Sequence, residues 1–181
     1  MNRRAGRQTS ADPIGTPTSI YVMDVDGSHL TRITTGTGDE GDGKPAYSPN
    51  SRRIDFIRNG AIEIVNADGT GIWEIVGPEA HASTPRWSPD GLRILYGDNT
   101  DGQSGARIIS LRGGAPALVG QISDAGWSPD GSLILGTFWR EEMHYVGLAT
   151  VSPDGEFNPV VLWHPEELKD MVPNSPTWIG T

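Results

Sequence analysis

Thr84-Pro85-Arg86-Trp87-Ser88-Pro89-Asp90-Gly91-Leu92-Arg93-Ile94-Leu95-Tyr96 contains a short strand ending in an aromatic residue, a tight turn, and a second strand with alternating apolar residues. Trp127-Ser128-Pro129-Asp130-Gly131 repeats the turn, and Tyr47-Ser48-Pro49-Asn50-Ser51 is a variant of it. The aromatic residues are evenly spaced, since 87 − 47 and 127 − 87 are both 40. Asn50-Ser51 replaces Asp-Gly in the first copy, so that turn is expected to tighten differently.

A second series interleaves with the first. Asp24-Val25-Asp26-Gly27, Asn66-Ala67-Asp68-Gly69, Arg112-Gly113-Gly114 and Ser152-Pro153-Asp154-Gly155 each separate two β-rich runs, as hairpin turns do. The third strands are Ile20 to Val25, Ile62 to Val65, Arg107 to Leu111 and Tyr145 to Val151. The fourth strands are Leu30 to Thr34, Ile72 to Val76, Ala117 to Val119 and Val160 to Trp163. Four strands per ~40-residue repeat is the signature of a β-propeller blade. The fold class is therefore all-β, with four-stranded antiparallel blades. The chain opens with the third and fourth strands of one blade, runs through three complete blades, and ends on a first strand carrying Trp178. This makes about four blades, one of them split between the termini, in a ring that is incomplete or completed by a partner. Only His164 to Met171 has helical features. Residues 1–18 read as a flexible tail and 19–181 as the propeller repeats.

The pattern aromatic-Ser-Pro-Asp-Gly, a strand, then Ile20-Tyr21-Val22-Met23-Asp24-Val25-Asp26-Gly27-Ser28 resembles the WD-like repeats of TolB-type β-propellers. The likeness covers residues 20 to 179, nearly everything but the tail. Such repeats are shared by periplasmic TolB proteins, by the propellers of prolyl-oligopeptidase-type peptidases and by many extracytoplasmic proteins. The resemblance implies a fold far more than a function.

Composition narrows the partners. With 14 Lys and Arg against 23 Asp and Glu, the net charge of −9 argues against nucleic acid and anionic membrane. Without cysteine there are no disulfides, thiol nucleophiles or thiolate metal sites. The basic start Met1 to Arg7 is not followed by an apolar run, and no segment approaches the ~20 apolar residues that span a bilayer. The default compartment is cytoplasmic, with a periplasmic or extracytoplasmic one implied by the resemblance if the true start lies upstream.

In a blade, the loops after the fourth strand and between the second and third share one face, and the two tight turns share the other. The loop face takes Thr35 to Lys44, Gly77 to Ser83, Gly97 to Gly105, Trp139 to Met143 and His164 to Ser175. These segments hold 11 of the 23 acids and three bases. Irregular loops on a rigid scaffold are where binding residues gather. The candidate binding residues are Asp39, Glu40, Asp42, His81, Asp98, Trp139, Arg140, Glu141 and Glu142, suited to a protein or peptide partner of basic character. A homodimer completing the ring is a further expectation.

Chemistry has weaker support. There is no Gly-x-Ser-x-Gly elbow, no His-Glu-x-x-His pair and no phosphate-binding Gly-rich loop ending in Lys-Ser/Thr. Asp24 to Ser28 departs from a calcium loop because Thr35 stands where a glutamate is needed. Trp87, Trp127 and Trp178 repeat in register, as core residues between blades do. The reading is a non-catalytic binding module with no cofactor. The alternatives are a metal-assisted lyase or hydrolase using loop-face His and acids, and a fragment of a larger propeller protein such as a peptidase gating domain.

Overall fold

The computed structural model describes residues 3–7, 17–36, 41–100, 104–140, 145–151 and 157–160. Fifteen strands occur there, with a single 3-10 turn at Pro78–Ala80. β1 (Arg3–Arg7), β2 (Ile20–Asp24) and β3 (Thr31–Arg32) form a three-stranded sheet. β4 (Asp42–Tyr47), β5 (Arg53–Arg58), β6 (Ala61–Asn66) and β7 (Trp73–Val76) follow in order as a four-stranded sheet. β8 (Ser83–Trp87), β9 (Arg93–Asp98), β10 (Gly105–Ser110) and β11 (Ala117–Gly120) form the next. β12 (Ser123–Trp127), β13 (Ile134–Arg140), β14 (Tyr145–Val151) and β15 (Phe157–Val160) form the last.

Neighbouring strands in each sheet are consecutive in sequence, as in up-and-down blades, and the registered pairs run antiparallel. The expected all-β fold of four-stranded antiparallel blades is what the chain adopts. Two differences concern extent. β1 lies inside the stretch read as a flexible tail and pairs with β2 from Arg3↔Asp24 to Arg7↔Ile20. It covers a strand edge that would otherwise present unpaired amides and carbonyls. The fourth strand of the last sheet is Phe157–Val160, earlier than the expected Val160 to Trp163. Trp178 and the expected helix at His164 to Met171 lie outside the described residues.

The chain divides into two compact units, Met1–Trp87 and Ser88–Thr181. In the first, Ile20, Val22 and Ile33 pack on Ile54, Phe56 and Val65, with Tyr47 against them. In the second, Leu95, Ala106, Ile108 and Val119 pack on Ile122 and Ile134, with Ala125 and Trp127 against them. Side chains on both faces of β5 and β9 are buried, because each of these strands sits in the middle of a blade with apolar neighbours on either side. Each such Ile, Leu or Phe contributes about 1.5–3 kcal/mol.

The aromatic-Ser turns fold alike. Ser48, Ser88 and Ser128 are buried, and each hydroxyl accepts the amide of the first residue of the second strand or the residue just before it, at 3.0, 3.0 and 2.9 Å. Each also donates to the side chain two residues on: Asn50 at 2.9 Å, Asp90 at 2.5 Å and Asp130 at 2.6 Å. The same Asn or Asp oxygens accept the amides of Arg52, Leu92 and Ser132. These bonds hold Asp90 below its ordinary range, and Asp130 at about 2, with the serine hydroxyl as the largest cause in both. The Asn50-Ser51 turn does not tighten differently. Ser51 adopts φ 56°, close to the 69° of Gly91 and 72° of Gly131, because Asn50 accepts the same two hydrogen bonds as the aspartates.

Candidate functional site

The first strand of a blade brings the loop face to its sheet, and β4 and β12 are irregular in the same way. Between Gly43↔Ile57 and Ala46↔Asp55, β4 advances three residues while β5 advances two. Between Ser123↔Thr137 and Gly126↔Leu135, β12 and β13 do the same. Each is a β-bulge with one extra residue on the first strand. At this step Lys44 has φ 51° and Asp124 φ 49°, and Thr84 in β8 has φ 44°. Positions 44, 84 and 124 keep the 40-residue period, three residues before Tyr47, Trp87 and Trp127. All three side chains are exposed.

Left-handed backbone costs a residue with a Cβ roughly 1–2 kcal/mol, and a β-branched residue such as threonine is the least suited to it. Glycine or asparagine would make the same bulge at lower cost. Ser51 also has positive φ, but its counterparts are Gly91 and Gly131. At 44, 84 and 124 no copy is glycine, so residues with a Cβ occupy strained, exposed positions. Pro45 and Pro85 follow two of them, and a residue without an N–H suits the unpaired step of a bulge.

The expected site residues separate. Asp42, expected on a loop, is the first residue of β4 and fully buried. Arg58, at the end of β5, grips it with both arms, Nε to Oδ1 at 2.6 Å and Nη2 to Oδ2 at 2.9 Å. Thr34 Oγ1 donates to the same carboxylate, and Thr18 brackets it by accepting the Asp42 amide and donating to its carbonyl, both at 2.8 Å. Arg58 also reaches Glu63 on β6 at 3.2 Å. Burial above all, with the neighbouring Asp42 and Glu74 charges, raises the Glu63 carboxyl against the lowering influence of Arg58.

Asp98, also expected on a loop, ends β9, is buried, and pairs with Arg107 Nε at 3.1 Å. Strand registers make Arg58–Glu63 and Asp98–Arg107 the same cross-strand pair with the charges exchanged, since Arg58 faces Ala61 and Asp98 faces Gly105. Asp42 and Asp98 are therefore neutralised internally rather than presented as negative surface. His81 is exposed and caps the 3-10 turn, its amide bonding to Pro78 O at 3.0 Å. Trp139 and Arg140 lie in β13 rather than a loop. Asp39, Glu40, Glu141 and Glu142 lie outside the described residues.

Ser28, His29 and Asp24 come together at the first hairpin. Both Ser28 Oγ, at 3.1 Å, and Asp24 Oδ2, at 2.7 Å, approach the same ring atom, His29 Nδ1. A nucleophile relay needs serine and aspartate on opposite ring nitrogens, so this cluster braces a turn. Asp26 accepts from the amide and hydroxyl of Ser28 in that turn, as a hairpin requires. Among the described residues, no group of three or more His, Asp or Glu is placed to hold a metal ion.

No protein-family model matches the chain. An uncharacterized protein of Agrobacterium fabrum is 30% identical over 135 residues, covering 62% of this chain and 44% of that protein. TolB from Acinetobacter baumannii superposes with a TM-score of 0.69 at 16% identity, covering 86% of this chain and 39% of that one. An oligogalacturonate lyase in complex with manganese gives 0.63 at 18%, covering 80% and 42%. An acylaminoacyl peptidase from Pyrococcus horikoshii gives 0.66 at 16%, covering 88% and 30%. The chain thus spans less than half the length of each of these proteins. What they share with it is the fold, and with the repeat and its turns that fold makes the chain a TolB-like β-propeller.

Proposed function

We propose that the chain is a binding module for a protein or peptide, with Lys44 and Thr84 among its contact residues. The observation that carries this reading is the recurrence of strained, exposed, non-glycine side chains at one position of successive first strands. β4 and β8 are neighbours, since Trp87 Nε1 donates to Ala46 O at 3.4 Å, so Lys44 and Thr84 belong to adjoining strands of one unit. The likeness to TolB is in keeping with a scaffold that binds. Asp39, Glu40, Glu141 and Glu142, with His81, Trp139 and Arg140, are proposed as further contact residues, the acids favouring a basic partner. The test is affinity capture from the source cells with wild type and the Lys44→Gly/Thr84→Gly variant as baits. A partner held by wild type and lost by the variant is expected. Equal capture by both baits would remove these residues from the site.

A second reading, an enzyme scaffold, is favoured by the likeness to a lyase and a peptidase. Tightly held stoichiometric metal in washed protein would support it over a plain binding module.

A further inference from the structure

Asp55 stands in the middle of β5 with no exposed surface, at the register that Leu95 and Leu135 hold in β9 and β13. A carboxyl group thus occupies an apolar position, and its two oxygens are treated differently. Oδ1 accepts the Ala46 amide, displaced by the β4 bulge, at 3.1 Å. Oδ2 is buried with no hydrogen-bond partner among the described residues. The Trp87 indole N–H, which donates to the Ala46 carbonyl, also favours the Asp55 carboxylate. One small cluster therefore ties β4, β5 and β8 together.

No opposing charge reaches it. The titratable and charged groups on the strands packed here are Asp42, Lys44 and Tyr47 on β4, Arg53 and Arg58 on β5, Glu63 on β6 and Arg86 on β8. Arg58 is committed to Asp42 and Glu63, and Arg53 lies over the Trp73 ring. Burial is the dominant influence on the Asp55 carboxyl, and only hydrogen bonds, chiefly those of Ala46 and Trp87, oppose it.

We propose that Asp55 is a proton-operated latch between β4 and β8, closed when its carboxyl is neutral and loosened when it ionises. A neutral carboxyl is tolerated among Ile64, Ala46 and Trp87, whereas an ionised one is a buried charge without a counter-ion. Burial pushes this carboxyl up to about 7 from an ordinary 3.8, so the latch weakens as pH rises between those two values. The latch stands independently of the binding role of Lys44 and Thr84, although those residues lie on the two strands it joins.

The test is a carboxyl carbon NMR titration of the full chain, with the Asp55 resonance identified by its loss in Asp55→Asn. Hydrogen exchange at the Ala46 amide and the Trp87 indole would be followed across the same pH range. Asp55 is expected to titrate near 7, and both protons to lose protection as pH rises from about 4 towards 7, levelling off above it, after correction for intrinsic exchange. In Asp55→Asn, or in Asp55→Leu should the amide variant fold poorly, protection should not change across that range. Titration near the ordinary value of about 4, or unchanged protection in wild type, would overturn the latch.

Discussion

Serine precedes proline in each aromatic-Ser turn because its hydroxyl does two jobs in a buried place. It accepts the amide of the second strand and donates to the turn's Asp or Asn. Ser88→Ala leaves that amide without its partner, so a loss of about 1–3 kcal/mol is expected in chemical denaturation. Ser51→Gly should do the opposite. It releases a left-handed serine and restores the residue found at 91 and 131, and a gain of about 1 kcal/mol is expected. At this scale the sequence was nearly transparent, because the turn's bonds join residues within five positions of each other. The Asn50-Ser51 turn shows that asparagine reproduces the aspartate bonds and that serine tolerates the glycine conformation.

At the scale of the element, strands were legible and their bulges were not. Alternation locates β5, β6, β9 and β10, but the extra residue in β4 or β12 appears only when two strands are set in register. The visible hint was a polar residue at each aromatic −3 position, twice followed by proline. Asp42 departs from its expected loop for the same reason. Its burial depends on Arg58, 16 residues away, and on Thr34 across the sheet stack. Arg58→Ala would strand the Asp42 carboxylate in the interior, and a loss of about 3–5 kcal/mol is expected by thermal or urea unfolding. Asp55 carries a pH dependence of the opposite sense to a paired carboxylate. Its folded value of about 7 lies above the unfolded 3.8, so the folded state holds the extra proton between them. Its contribution is greatest below pH 4, declines as pH rises towards 7, and then levels off. The full change is on the order of 4 kcal/mol. Asp55→Asn should flatten that part of the profile in thermal melts between pH 4 and 8.

For the whole molecule, the 40-residue period carried the four-stranded antiparallel sheets from sequence to structure. The site did not travel so well, since fold is set by repeated turns and alternation, whereas a binding surface is set by which side chains a shared irregularity exposes. Asp39, Glu40, Asp42, Asp98, Glu141 and Glu142 share in sequence only their sign and an expected loop position. Two of them, Asp42 and Asp98, turn out to be held by arginines. Lys44 and Thr84 emerged only from their backbone angles. If strain there is retained for the side chain, Lys44→Gly and Thr84→Gly should each raise thermal stability, Thr84→Gly by more because threonine is β-branched.

The most direct measurement places a photo-crosslinking amino acid at position 44 and, as the control, at Val25, which is exposed on the hairpin turn of the same unit. Irradiation in the source cells should yield a discrete adduct to another protein from position 44 and none from position 25. An adduct from position 25 alone, or identical patterns from both, would contradict a binding surface built on the bulges of the first strands.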